Sequence, residues 1–268
     1  MNRLPEPARI HLLTAKSAPI VVIIRRKPSK LWHIIKWNTR KSTIENGSWF
    51  EGKLYPMRCD VSSNGKWMVY LAMGRSGNTW NGVCHLPWLK TIAEAENMGT
   101  WYGGGFWDKS GLLLTNGWQP KGERIPFRIG QLTPEYGGED FSVLFPRMQR
   151  DGWQRAGDNW GKETRVKGIK SYQVKCEGDD GWFFRPTSKH PTLRMKYIGY
   201  LEKGYTFQFS LDEYPDLLDS KVDWANWDYG GNLVFARLGA IYKYEICDLD
   251  SGRPTFSKDL EHLQKITV

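Results

Sequence analysis

The feature that most constrains this chain is a short phrase of turn and strand residues that recurs along it. In the clearest copy, residues 224–247, an apolar run follows the turn glycine Gly231, and Gly239 then turns the chain into a strand of alternating polar and apolar residues. Glycine provides the positive φ that tight turns need, and two-residue alternation is typical of a strand with one buried face. The phrase therefore predicts antiparallel strands joined by tight turns.

Two further good copies of this phrase lie upstream. In each copy a turn glycine is followed by an apolar run: Gly65 by residues 67–72, Gly111 by residues 112–115 and Gly231 by residues 233–236. Gly65 and Gly111 lie 46 positions apart, and weaker copies begin at Asp151 and Asp180. A recurrence on the order of 40 to 50 residues that contains several short strands is the signature of a propeller blade. We expect the three turn glycines to occupy equivalent turns, with the strands after them buried as inner strands.

On these signals the chain resembles the WD40-like β-propeller families, over roughly residues 55–250, although the Gly-His and Trp-Asp dipeptides of WD40 repeats are missing at regular places. The resemblance implies an all-β fold: one domain, residues 1–268, built as a propeller of five or six irregular four-stranded blades. It also implies that an N-terminal strand, residues 19–26 or 10–13, pairs in the same sheet as strands from residues 233–246, because an open ring would leave two unpaired edges.

The carboxylates of the repeat bear on whether the chain is an enzyme. Asp108 and Asp228 occupy equivalent positions, which favours a structural role in which each carboxylate accepts the amides of its own turn. Propeller glycosidases instead place two or three carboxylates from different blades around a central channel. The candidates for such a set are Asp60, Asp108, Asp140, Asp180, Glu202, Asp223 and Asp228. A carbohydrate-active hydrolase therefore remains an alternative function.

A segment rich in glycine and tryptophan, residues 75–105, breaks the rhythm of the repeat. Its length predicts an insertion of a long loop and a short helix, residues 88–97. It is either a loop over one mouth of the propeller or a blade whose outer strands are replaced by the helix. Loops of this kind often carry function on a rigid scaffold. The candidate partner-binding residues are Arg75, Trp80, His85, Trp101 and Tyr102. The alternative is that the tryptophans of this segment pack between blades.

Positive charge is concentrated at the N-terminus. The net charge is +9, and the first 45 residues carry ten Lys and Arg residues against two Glu residues. The candidate basic patch consists of Arg25, Arg26, Lys27 and Lys30. Such asymmetry is typical of a chain with an acidic partner, or of a solvated edge on the first blade. Because the basic residues alternate with apolar ones in strand-like segments, we expect them along a blade edge, which favours a protein over a nucleic acid.

Motifs for catalysis, cofactors and metals are missing from the sequence. It contains no G-x-S-x-G, H-E-x-x-H, P-loop or C-x-x-C motif, and its five histidines are scattered singly. We therefore expect no cofactor, no metal and no catalytic residue. No secretory signal is visible, and the apolar run at residues 20–24 is too short to span a bilayer. These features predict a cytoplasmic location with reduced thiols and no membrane span.

These observations favour a monomeric binding or scaffold protein in the cytoplasm that catalyses nothing and whose partner is another protein. The first alternative is the carbohydrate-active hydrolase with channel carboxylates. The second is a nucleic-acid-binding protein that uses the basic N-terminal segment, with Trp32 and Trp37 as stacking groups.

Overall fold

A computed structural model describes residues 6–96, 99–122, 125–136, 139–156, 162–165, 174–177, 181–201 and 204–265 of the chain. In these ranges strands predominate and form four sheets, none of which closes into a barrel. The described residues contain one α-helix, α1 (Phe141–Asp151). The predicted all-β fold is therefore confirmed. Within the described ranges no helix has the length and apolar character needed to cross a bilayer.

The first sheet has eight strands from the N-terminal part of the chain. They are β1 (Arg9–Thr14), β2 (Ile20–Arg26), β3 (Leu31–Asn38), β4 (Thr43–Leu54), β5 (Asp60–Val61), β6 (Trp67–Gly74), β7 (Thr79–His85) and β8 (Thr91–Glu96). Their order is β1-β2-β3-β4-β6-β7-β8, and β5 pairs with β6. The long strand β4 pairs with β3, and its last residues, 52–54, pair with β6. It therefore joins two antiparallel units, β1 to β4 and β5 to β8.

Three smaller sheets follow along the chain. The second sheet contains β9 (Gly105–Trp107), β10 (Leu113–Thr115) and β11 (Ile129–Gln131), with β10 and β11 parallel. The third contains β12 (Gln154–Ala156), β13 (Lys162–Arg165), β14 (Val174–Glu177), β15 (Gly181–Phe184), β16 (Leu193–Leu201) and β17 (Gly204–Leu211). The fourth contains β18 (Val222–Trp227), β19 (Leu233–Arg237), β20 (Ala240–Tyr244) and β21 (Phe256–Asp259). The strand pairs of the third and fourth sheets are antiparallel.

The first strands of several of these units lie near a common centre. β1 is packed beside β5 and β18, and β5 is packed beside β9. The helix α1 contacts β9 and the short helical turn Pro56–Arg58 that precedes β5. The largest hydrophobic cluster fills this region with side chains from several sheets and from α1, such as Ile23, Phe145, Trp182 and Phe235. The centre is therefore occupied by a helix and apolar side chains, with buried polar groups such as Asp60 and Arg147 enclosed among them.

The three predicted turns are equivalent. The amides of Gly65, Gly111 and Gly231 each donate to the carbonyl oxygen three residues earlier, and the three φ angles are 71°, 81° and 75°. This left-handed region is one that glycine enters without steric cost, which explains the residue type. The strands that follow, β6, β10 and β19, are largely buried, as predicted. They are, however, the second strands of their units, because β5, β9 and β18 lie closer to the centre.

The predicted structural role of the turn aspartates is confirmed. Asp108 Oδ1 accepts the amides of Ser110 at 2.8 Å and Leu112 at 2.9 Å. Asp228 Oδ1 accepts the amides of Gly230 and Asn232, both at 2.8 Å. Each carboxylate is therefore occupied by its own turn and is not directed at a substrate.

Replacing Asp108 by Ala is expected to lower the free energy of unfolding by about 1 kcal/mol at neutral pH, because two backbone amides lose their acceptor. Partial desolvation opposes the charged carboxylate, but hydrogen bonds from Ser110 and Leu112 outweigh it and hold the pKa of Asp108 below its usual range. This stabilisation is present above the unfolded-state pKa of about 3.9 and is lost as the pH falls through the lower folded-state pKa. Urea unfolding at neutral pH and at about pH 2 measures the loss. Equal destabilisation at both pH values would contradict the assignment, and Lys109→Ala is the matched control.

The weaker copies of the repeat do not form the predicted turns. Asp151 is the last residue of α1, and Gly152 caps the helix in the left-handed region with φ of 102°. The prediction of a blade turn there is wrong because a helix occupies the segment. Asp180 lies outside the described residues.

The predicted closure of the ring by strand pairing is also wrong. β1 pairs with β2, and the strands β18 to β21 form a separate sheet. Side chains bridge the two sheets instead: the amide of Ile10 donates to Asp223 Oδ2 at 3.1 Å, and Asn226 Nδ2 donates to Thr14 Oγ1 at 3.1 Å. The N-terminal and C-terminal segments are therefore neighbours without belonging to one sheet.

The insertion predicted at residues 75–105 is mostly regular sheet. β7 pairs with β6 along seven residues and with β8 on its other edge. The helix predicted from residue 88 to residue 97 is not formed, because residues 91–96 are a strand whose pairing with β7 outweighs their local helix propensity. The described parts of this range outside regular strands are residues 75–78, 86–90 and 99–104.

Candidate functional site

Two exposed aromatic residues stand out on the segment before β9. Trp101 and Tyr102 are 67% and 51% exposed, and we refer to residues 99–104 as the aromatic loop. The carbonyl oxygens of Thr100 and Tyr102 both accept hydrogen bonds from Arg58 Nη1, at 2.6 Å and 3.2 Å. The backbone on both sides of Trp101 is therefore held from below while its indole projects into solvent.

Arg58 is the centre of a buried charge cluster under this loop. Its side chain is fully buried, with Nε donating to Asp140 Oδ1 at 2.5 Å and Nη2 to Glu139 Oε2 at 2.7 Å. Paired carboxylates and two carbonyls satisfy the guanidinium, which a buried cation requires. Because Asp140 is the N-cap residue of α1, the cluster ties the aromatic loop to the helix at the centre of the fold.

Two glycines let the loop lie close to the core. Gly103 and Gly104 have φ of 116° and 73°, and a Cβ atom on Gly104 would lie 2.2 Å from the carbonyl oxygen of Arg58. The amide of Gly104 donates to Asn81 Oδ1 at 2.7 Å, and its carbonyl oxygen accepts from Trp118 Nε1 at 2.7 Å. These contacts restrain the loop backbone, and such restraint lowers the entropy cost of presenting its aromatic side chains to a partner.

The other three residues predicted to bind a partner have different surroundings. Trp80 is partly buried, packs edge-on against Phe50 and donates weakly to Tyr70 Oη at 3.4 Å, so it has a packing role. Arg75 is exposed and paired with Glu51. His85 is exposed at the far end of β7, roughly 20 Å along the strand from Thr79.

Of the five candidates, Trp101 and Tyr102 are neighbours on the aromatic loop, while Trp80 and His85 lie on β7, five residues apart. Binding of a partner by these residues stays a prediction.

The predicted basic patch is also dispersed. Arg25 is 1% exposed, and its Nε and Nη2 donate to the carbonyl oxygens of Leu260 and Glu261 at 2.7 Å and 2.8 Å. Lys27 forms an ion pair with the Glu261 side chain. Arg25 and Lys27 thus hold the C-terminal segment and are not available to an anionic partner.

The remaining basic residues do not form a nucleic-acid surface with the predicted stacking groups. Arg26 is half-buried over the ring of Trp32 at 5.4 Å, and Lys30 is exposed. Trp32 and Trp37 are 5% and 0% exposed, so neither can stack on a base. Neither the predicted basic patch nor the predicted stacking residues therefore support the nucleic-acid-binding alternative.

A second polar cluster is enclosed at the centre of the fold. Asp60 is 1% exposed, and its carboxylate accepts the amide of Trp107 at 2.9 Å and both terminal nitrogens of Arg150. Arg150 Nε donates to Asp151 Oδ1 at 2.8 Å, and Lys16 Nζ lies 3.5 Å from the same oxygen. Burial opposes the charge on Arg150, but the two carboxylates outweigh it and keep the pKa of Arg150 above its usual range.

Arg147 and His11 complete this central cluster. Arg147 is 3% exposed and donates to the carbonyl oxygens of Pro56, at 3.4 Å, and Cys59. Its Nη2 lies 3.4 Å from His11 Nε2. Burial, together with the positive charge of Arg147, lowers the pKa of His11 well below its usual value, so the imidazole is neutral at pH 7. The His11 ring packs against Trp224 with centroids 3.9 Å apart.

A small pocket adjoins the central cluster. Its lining consists of Leu12, Leu13, Thr14, Asp60, Arg147, Met148, Asp151, Trp153, Trp224 and Asn226. Its volume is about 10 Å³, which is close to the least that holds one water molecule. Both lining carboxylates are engaged by Arg150, and no sugar ring has room between them. This arrangement does not resemble the open carboxylate pair of a glycosidase.

One group of possible metal ligands, which the sequence spacing did not indicate, lies at a short helical turn. Ligand atoms of Glu245, Cys247 and Asp248 lie within 4.8 Å of one another. Lys243 Nζ already binds Glu245 Oε1 at 3.1 Å, and Thr255 Oγ1 donates to Asp248 Oδ2 at 2.7 Å. Two of the three groups therefore have protein partners.

Comparison with known proteins gives no functional assignment. No protein-family model matches the chain, and no curated protein is significantly similar to it. Among solved structures, an uncharacterized protein from Listeria monocytogenes EGD-e is similar with a TM-score of 0.40 and 8% identity, over 97% of each chain. This likeness is too weak to carry an argument about function.

Proposed function

We propose that the chain is an irregular five-bladed propeller that binds another protein and catalyses nothing. The blades would be β1 to β4, β5 to β8, β9 to β11, β12 to β17 and β18 to β21. The packing of β1 beside β5 and β18 supports this arrangement, as do the equivalent turns after β5, β9 and β18. We keep the cytoplasm as the proposed location, because Cys59, Cys84 and Cys247 are free thiols, as is typical of a reducing compartment.

The binding surface we propose is the aromatic loop, and one observation carries this proposal. Trp101 and Tyr102 are more than half exposed on a backbone that the buried Arg58 holds in place. Large exposed aromatic side chains are uncommon on a free surface and are enriched at the energetic centres of protein interfaces. A rigid loop that presents two of them is therefore suited to anchor a partner protein.

The chemistry around the loop supports a protein partner over the alternatives. The charged group bonded to the loop backbone is Arg58, which is buried and paired with the carboxylates of Glu139 and Asp140. A phosphate backbone needs accessible Lys or Arg side chains, and carboxylates would repel it. The hydrolase alternative has no substrate-sized space between Asp60 and Asp151.

We expect Trp101→Ala to weaken binding of the partner by about tenfold or more, because a central aromatic anchor typically contributes that much. The full chain, its Trp101→Ala variant and a Trp88→Ala variant would each be used for pull-down from the native cell with quantitative mass spectrometry. Trp88 is the matched control, because it is 52% exposed but lies outside the loop. The partner should be lost with Trp101→Ala and retained with Trp88→Ala.

The affinity of the purified partner for each variant then gives the size of the effect. A set of captured proteins that is the same for all three variants would show that the aromatic loop is not the binding surface. Hydrolysis of a polysaccharide by the purified chain, abolished by Asp60→Asn, would overturn the proposal in favour of the hydrolase.

A further inference from the structure

The carboxylates beside the aromatic loop outnumber the cation that binds them. Arg58 Nε donates to Asp140 Oδ1, and Arg58 Nη2 donates to Glu139 Oε2. Within the described ranges, no other cation lies within ion-pair distance of either carboxylate. The Arg58 side chain is 0% exposed, whereas the Glu139 side chain is 38% exposed. A negative charge is therefore accessible from solvent at Glu139.

Two other groups near the carboxylates affect this charge. The positive end of the α1 dipole lies at Asp140 and offsets part of the surplus. Lys53 Nζ lies over the Tyr55 ring, 4.4 Å from its centroid, and forms no ion pair with Asp140 or Glu139 in the part of the chain that the structure describes. The Arg58 guanidinium also lies over the Tyr55 ring, at 5.4 Å. Cations therefore already pack on an aromatic face in this region.

The aromatic loop and the segment that carries Glu139 are tied to each other. The Arg58 guanidinium binds the loop carbonyls on both sides of Trp101 and also binds the Glu139 carboxylate.

Asn116 makes a second connection between the loop and Glu139. Its Nδ2 donates to the carbonyl oxygen of Gly103 at 3.3 Å and to Ser142 Oγ at 3.4 Å. Ser142 Oγ in turn donates to the carbonyl oxygen of Glu139 at 3.2 Å. The exposed aromatic rings and the exposed carboxylate therefore belong to one restrained surface.

Building on the proposed function of the aromatic loop, we infer that Trp101, Tyr102 and Glu139 bind an arginine side chain, and that the partner protein presents an exposed basic segment. A guanidinium forms strong hydrogen bonds with a carboxylate and also packs over aromatic rings. Glu139 Oε1 accepts no hydrogen bond within the described residues, so it is available to the partner. Trp101 and Tyr102 supply the exposed rings.

Fluorescence polarisation with the full chain tests this inference, with a labelled peptide of alternating arginine and glycine as the probe. A second peptide carries citrulline, which keeps the shape of arginine and removes its charge. The arginine peptide is expected to bind about fivefold or more tightly, because citrulline loses both the ion pair and the cation–π contact. Glu139→Gln keeps an oxygen acceptor for Arg58 and removes the charge, while Trp101→Ala removes a ring. Each variant should weaken binding of the arginine peptide by about two- to fivefold.

The matched control is Glu45→Gln, because the Glu45 side chain is 49% exposed and pairs with Lys36, outside the loop. Its affinity for the arginine peptide should equal that of the wild type, and urea unfolding checks that every variant is folded. Equal affinity of the wild type for the two peptides, no binding of the arginine peptide, or unchanged binding by folded Glu139→Gln would overturn the inference.

Pull-down with the same variants separates this inference from the proposed function. Capture of the partner that is lost with Trp101→Ala and fully kept with Glu139→Gln would leave the aromatic loop as the binding surface and overturn the basic segment. Capture that neither variant changes would contradict both.

Discussion

Replacing Leu233 by Asp is expected to lower the free energy of unfolding by about 4 kcal/mol or more, because an unpaired charge would be buried in the core. Leu233 is fully buried in β19, which is paired with strands on both sides. Its cross-strand neighbours are the aromatic residues Trp227 and Tyr244, which offer no positive charge. Urea unfolding, or loss of soluble folded protein, measures the effect.

The same hairpin supplies two comparisons. Val234→Asp should cost less than Leu233→Asp, because the buried Lys243 lies directly opposite Val234 and offers an ion-pair partner. Leu238→Asp should change stability by less than about 0.5 kcal/mol, since Leu238 is 48% exposed at a turn with φ of 52°, a conformation that Asp tolerates better than Leu. Equal urea midpoints for Leu233→Asp and Leu238→Asp would show that β19 is not a core strand.

The turns were the most predictable part of the fold, because their geometry is set by adjacent residues. Gly65, Gly111 and Gly231 were recognisable from the local order of polar residue, glycine and apolar run. The same local signal failed at Gly152, where the glycine ends a helix instead of joining two strands. A left-handed glycine is needed in both settings, so the residue type alone does not distinguish them.

The helix α1 was missed, although the sequence contained a usable signal. Phe141, Leu144, Phe145 and Met148 follow the spacing of a helix with one apolar face, and that face packs into the core. Pro146 inside the segment argues against a helix, since it removes a backbone donor and disturbs the preceding turn. Burial of the apolar face outweighs that cost here.

The charge distribution was the least predictable feature, because the partners of the basic residues are remote in sequence. Arg25 binds backbone oxygens 235 and 236 positions away, and Arg58 binds a carboxylate 82 positions away. A basic N-terminal segment therefore predicted an exposed patch where the fold contains buried connections between segments. By contrast, the exposure of Trp101 and Tyr102 was consistent with their place in a glycine-rich connection.

Replacing Asp60 by Ala is expected to lower the free energy of unfolding by about 3–5 kcal/mol, the usual cost of breaking a buried ion pair. The Asp60 carboxylate accepts the amide of Trp107 and two nitrogens of Arg150. Its removal leaves the Trp107 amide without this acceptor and leaves the buried Arg150 with one carboxylate in place of two. Denaturant unfolding at constant pH and salt measures the loss. The double variant Asp60→Ala, Arg150→Met should recover part of this loss of stability. Asp60→Ala leaves the buried Arg150 cation with Asp151 as its one carboxylate partner, and Arg150→Met removes that cation.

The matched control is an ion pair of similar geometry at the surface. Arg194 binds both oxygens of Asp212, at 2.6 Å and 2.7 Å, with the two side chains 50% and 35% exposed. Water screens this pair and solvates either partner when the other is removed, so Asp212→Ala should cost less than about 1 kcal/mol. The difference between the two losses of unfolding free energy measures how much burial at the centre adds to the cost of breaking an ion pair. A loss for Asp60→Ala no larger than that for Asp212→Ala would mean that water reaches Arg150, and that the centre of the fold is open.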